Sequence, residues 1–163
     1  MAGIEFTYVL LGALAIALVV AAFTDLRSRQ IGNRLNAGIA LAAPLWWWAS
    51  GVSLWPGVVW QVGFAALVFA ICCVLFAIRQ MGGGDVKLLT ALALWIPPLP
   101  FLKLVVIMAI VGGVLTVLFG AAHIIRRRKD RIAIPYGVAI AIAALWVLGT
   151  EPLGQMPAVS GML

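Results

Sequence analysis

Long apolar runs, broken only by short charged clusters, dominate this chain and limit what it can fold into. A helix that crosses a bilayer needs about 20 apolar residues. Six candidate spans are read on that basis: Ile4 to Phe23, Leu35 to Trp48, Gly57 to Ile78, Met81 to Ile96, Phe101 to Ile125 and Ile134 to Leu148. Only 10% of the residues are charged, against about 25% in a soluble domain. That excludes a soluble globular protein, a disordered tail and a nucleic-acid module. The expected fold is all-α, a polytopic membrane protein of about six transmembrane helices forming one domain over residues 1–163. The first run does not read as a cleaved signal: no Lys or Arg precedes it, and it is too long for an h-region.

The fourth span is short. Nine residues lie between Lys87 and Pro97, too few to cross a core of about 30 Å. It crosses only if the glycine stretch before it dips into the membrane, and a re-entrant segment is the alternative. Charge separates the two. With six spans, one face collects Arg27, Arg29, Arg34, Arg79, Lys87 and the Arg126–Arg131 cluster, ten of the eleven basic residues, with Lys103 as the exception. The positive-inside rule makes that face cytoplasmic and puts both termini outside. The seven tryptophans all fall toward the outer face and are read as an interfacial aromatic belt.

Few residues can do chemistry. Cys72 and Cys73 are adjacent inside an apolar run and form neither a disulfide framework nor a zinc site. Glu5 and Glu151 sit at outer ends, and Asp130 sits among arginines. Asp25 and Asp85 remain, both at the cytoplasmic boundary, Asp85 directly after Gly82-Gly83-Gly84. Two carboxylates that share a site keep one proton between them. The ionised one can act as general base on water, and the protonated one can donate to a peptide carbonyl. This is aspartic-protease chemistry, with no metal or cofactor required. The glycines permit close backbone approach and conformations barred to other residues.

The segment Asp25-Leu26-Arg27-Ser28-Arg29-Gln30-Ile31-Gly32-Asn33-Arg34-Leu35 resembles the first aspartate motif of prepilin peptidases. Gly82-Gly83-Gly84-Asp85-Val86-Lys87-Leu88-Leu89 resembles their second, G-x-G-D followed by Lys, and Ile134–Ile140 is similar to a third segment. The three stand in family order. The resemblance implies a membrane aspartic peptidase with Asp25 and Asp85 as the catalytic pair. Gly82 and Gly84 are then the motif glycines, with Asn33 and Lys87 in support. The implied substrates are prepilins or pseudopilins, each with a short basic leader and one hydrophobic helix, cut at the cytoplasmic face of a bacterial inner membrane. The lipid bilayer is the other implied partner, the pilus assembly machinery a further candidate, and nucleic acid is not expected. The family often has Pro before the Asn of the first motif, and here Gly32 stands there, which loosens the loop. The first loop is short and has no Cys, which resembles the short peptidases of tight-adherence (Flp) pilus systems, without N-methyltransferase activity. A noncatalytic assembly subunit, a small proton-coupled transporter and a presenilin-type intramembrane protease are the alternatives.

Topology accounts for Arg27, Arg29 and Arg34, and lipid contact for Arg126–Arg131. Lys87 is either a snorkelling cation or an influence on Asp85. Substrate-binding residues are not assigned.

Overall fold

The computed structural model describes residues 2–125 and 136–151, and over these the chain is helical without a strand. The helices are α1 (Ala2–Ser28), α2 (Asn33–Ala49), α3 (Val59–Ala77), α4 (Gly83–Ala93), α5 (Pro98–Ile125) and α6 (Tyr136–Thr150), with one wide helical turn at Leu54–Val58 leading into α3. The Arg126–Arg131 cluster, Asp130 within it, and Ile134-Pro135 lie outside the described residues, as does the side chain of His123.

Among the described residues, three stretches are long and apolar enough to cross a membrane: Glu5–Ser28, Leu54–Ala77 and Pro98–Ala121. These long helices carry most of the exposed apolar surface, including Ile16, Val74 and Val117. The short helices do the opposite. α4 has 11 residues, of which Val86, Leu88, Leu89, Ala91, Leu92 and Ala93 are buried. α6 has 15 residues and packs against α1, α4 and α5. Its buried face is largely Gly and Ala, and small residues let membrane helices approach closely. α4 in turn packs against α2, α3 and α6. The centre of the bundle is thus built from the two helices least able to span a bilayer alone.

A helix that stops inside the bundle leaves carbonyls without intrahelical partners, and apolar surroundings offer no water to replace them. Side chains from neighbouring elements meet this need at the end of α4. Gln61 Nε2 donates to Ala93 O at 2.7 Å and to Ile96 O at 3.0 Å. Trp47 Nε1 donates to Leu94 O at 2.8 Å. The next helix starts immediately, with Pro98 at a first-turn position where its missing N–H costs nothing.

The tryptophans divide into two groups. Trp48, Trp55, Trp60 and Trp146 are exposed, as an interfacial belt requires. Trp46 and Trp95 are buried, with ring centroids 5.9 Å apart. Trp95 Nε1 donates to Ile39 O at 2.8 Å. With Trp47 these two hold α2 to α4, so the sequence expectation of seven interface anchors is corrected. Lys103, set apart from the other cations in the sequence reading, pairs with Glu151.

The loop between α1 and α2 is short and held by packing. Arg29 closes α1 with a positive φ of 54°, and Ile31 is buried. Gly32 has φ −61° and ψ 135°, close to the values proline imposes, and a Cβ there meets nothing within 4 Å. Gly32 therefore does not use its conformational freedom. Gly32→Pro should stabilise the protein by about 0.4–1 kcal/mol through the unfolded state, measured as a rise in thermal midpoint in detergent. Gln61→Ala should lower stability by about 1–3 kcal/mol, because it strips donors from buried carbonyls. The same melt checks it, and an unchanged midpoint would remove Gln61 from the account.

Candidate active site

Both aspartates reach one cavity through different elements. On α1, Leu14, Leu18, Ala21 and Asp25 are all buried, a stripe at helical spacing. Asp25 is the last member of that stripe, so its carboxylate turns into the bundle at only 6% exposure. Asp85 is half-buried in the first turn of α4. Counting from the cap Gly82, it is the third helical residue. A carboxylate at that position folds back on the capping residue, and Asp85 Oδ2 does lie against Gly82.

The spacing of the glycine motif follows from what surrounds each glycine. A Cβ on Gly82 would sit 2.9 Å from Asp85 Oδ2. One on Gly84 would sit 3.3 Å from Ile31 Cβ and 3.4 Å from Ile31 N, where the first turn of α4 presses on the loop after α1. A Cβ on Gly83 would make only an ordinary contact, 3.5 Å from Phe76. Gly82 has φ −74° and ψ 147°, and Gly83 and Gly84 are helical. The motif is therefore used here for close approach, not for unusual backbone angles.

A third element closes the site. The first turn of α6 lies against the Asp25 carboxylate, with the Gly137 and Val138 amides near it, while Asp25 Oδ2 has no hydrogen-bond partner. A Cβ on Gly137 would lie 2.8 Å from Asp25 Oδ2 and 2.8 Å from Ile31 Cδ1. Partial positive charge at a helix N-terminus favours a carboxylate there. Gly137 falls within the third motif segment, but nothing in the sequence assigns it a neighbour. Its signal was a glycine after Pro135-Tyr136 at the mouth of an apolar run.

Asp25, Asp85, Gly82, Gly83 and Gly84 line the same cavity of about 630 Å³, with Arg29, Ile31, Asn33 and other residues of the α1–α2 loop. The two acids are close enough for the charge of Asp25 to act on Asp85. Lys87 and Asn33 are brought together with each other: Lys87 Nζ donates to Asn33 Oδ1 at 2.8 Å. One turn further along α2, Asn36 Nδ2 donates to Gly84 O at 3.2 Å. Sequence reasoning missed Asn36, whose signal is a polar residue on the buried face of an apolar helix. These two bonds tie the start of α4 to the start of α2. Among the described residues, no group of three or more His, Cys, Asp or Glu could hold a metal ion.

The sequence model of the type IV leader peptidase family matches residues 12–118. The chain belongs to that family. The matched stretch contains both aspartates and the glycine motif and ends before α6. No curated protein and no solved structure matches the chain.

For a type IV leader peptidase built this way, Gly82, Gly83 and Gly137 are not equivalent. Alanine at Gly82 or Gly137 should lower peptidase activity roughly tenfold or more, since each new Cβ displaces a carboxylate by contact. Alanine at Gly83 should be the mildest of the three. Purified variants with matched melting profiles would be compared, and equal losses at all three positions would sink this reading of the motif.

Proposed function

We propose that this protein is an aspartic endopeptidase that removes the short basic leader of type IV prepilins or pseudopilins. One observation carries the reading: both aspartates line a single cavity in a chain of the leader peptidase family. In the proposed step, one carboxylate is ionised and takes a proton from a water molecule. The water oxygen attacks the scissile carbonyl carbon. The other carboxylic acid donates its proton to the carbonyl oxygen. Collapse of the tetrahedral intermediate breaks the C–N bond, and the leaving amine takes up a proton from the dyad. A water held between two fixed acids replaces a bimolecular encounter, and such positioning can supply several kcal/mol of the barrier.

The proposal includes topology. Six helices would cross or fill a bacterial inner membrane, with the site toward the cytoplasm and both termini outside. The end of α1 and the starts of α2 and α4 line the cavity, the start of α6 lies against Asp25 and the end of α3 against Gly83, which suits a bundle whose helices alternate in direction. The cations of the flanking loops favour the cytoplasmic side for this end. A leader enters from that side while its apolar helix stays in lipid, so water need not reach the hydrocarbon centre. N-methyltransferase activity is not part of the proposal.

The test is co-expression of a candidate prepilin with wild type, Asp25→Ala, Asp85→Ala and the control Asp130→Ala. Leader loss with wild type and control, and leader retention with both aspartate variants, is the expected pattern. A fall of at least about 10³-fold is expected in each aspartate variant, because neither acid can work alone. Equal shortening by all four would make the two acids structural. No shortening by any would count against leader processing.

A further inference from the structure

Beside the catalytic cavity lies a second one of about 350 Å³, set between α2 and α3 with α4 as its floor. It follows the same helical face on two neighbouring helices, from Asn33 to Ala40 on α2 and from Lys87 to Leu94 on α4. Each stretch is an i, i+3, i+4, i+7 stripe of two turns, about 10 Å long. The stripes run side by side in the same direction, joined at one end by Lys87 and Asn33 and at the other by Trp47 and Leu94. Phe69 of α3 forms the opposite wall. The middle of the groove is lined by Ala37, Ala40 and Ala91, small enough to admit another helix closely.

Two observations say what covers it. First, Asn33 lines both this groove and the catalytic cavity, so the groove leads straight to the aspartates. Second, Asn36 lines the groove at 4% exposure, and its Oδ1 has no hydrogen-bond partner. A buried acceptor without a donor is costly. The opening turn of a helix has the complementary problem, because its first amides lack intrahelical acceptors.

We propose that this groove seats the first two turns of the substrate's apolar helix, the segment that begins just after the cleaved bond. The inference rests on the leader peptidase reading above. Asn36 Oδ1 accepts from an amide of the incoming first turn, while its Nδ2 keeps hold of Gly84 O. Seating the substrate is thereby felt at the turn that carries Asp85. The leader passes Asn33 into the catalytic cavity, and the rest of the helix continues along α2 and α4 into lipid.

The test places a photo-crosslinking residue, p-benzoylphenylalanine, at Ala40 or at the exposed control position Val117 of α5. Both are made in the full-length protein with Asp85→Asn, in membranes containing a prepilin. Cleavage by the wild type is measured in the same membranes, with KM and kcat for Ala40→Phe. Expected are precursor adducts from position 40 and none from 117, mapping to the two turns after the cut. Ala40→Phe should raise KM roughly tenfold with little change in kcat, as lost substrate binding requires. Precursor adducts from 117 and not 40, or lipid adducts alone at 40, overturn the groove. The peptidase reading then still stands if the wild type cleaves. No cleavage by the wild type and no precursor adduct at either position overturns both.

Discussion

Close approach between backbones is the condition on which the rest of this site depends. The first turn of α4 meets the loop after α1 at Gly84, the first turn of α6 meets Asp25 at Gly137, and the Asp85 carboxylate lies over Gly82. At each of these points a methyl group would force something to move. A carboxylate, unlike a methyl, needs donors, and a side chain long enough to bring them would occupy the space a substrate needs. Backbone amides supply donors without that volume. Glycine lets those amides come near the acids, and Asp25 Oδ2, still without a hydrogen-bond partner, is left open to a donor from outside the chain.

The membrane setting explains why the buried centre is given to short helices. In lipid, a helix is the cheapest way to satisfy backbone groups, and any end inside the bundle has to be capped by protein. α4 ends in this way, on Gln61 and Trp47. The three long apolar helices can face lipid because they need no such help. What they enclose can then be shaped for chemistry: α4 starts at the cavity, and the start of α6 lies against Asp25.

Much of this was legible in the sequence, for physical reasons that also mark the limit. Apolar runs report burial in lipid or protein without distinguishing them, so the helices were readable while their depth was not. Asp25 and Asp85 stood out because ionisable groups are rare in such runs. The glycine spacing was visible as a pattern, but its cause was not, since Ile31, Phe76 and Asp85 itself decide which glycine is indispensable. Trp46 and Trp95 read as interface anchors because every tryptophan at a span end does. Only the pairing of α2 with α4 shows that they are interior. Gly137 and Asn36 escaped for the same reason: their partners lie far away in sequence. Gly32 was read as a loosened position, yet its angles are those of the proline it replaces. The loop is held by Ile31 in the core rather than by a ring at residue 32.

The two acids are supported differently, and the difference gives α4 its particular place. Asp25 continues the buried stripe of a long helix, so its position follows from the packing of α1 against α2 and α6. Asp85 sits on an 11-residue helix that neighbours hold at both ends. Asn33 and Asn36 hold its start through Lys87 and Gly84, and Gln61 and Trp47 hold its finish. Nearly every polar side chain that α2 and α3 turn inward is spent on this one short element. Lys87 and Leu94, at the two ends of the groove beside α4, are both among the residues held in this way. Placing Asp85 on α4 rather than on a lipid-facing helix puts the acid on the same short element that lines the groove beside it, which is the arrangement the groove proposal requires.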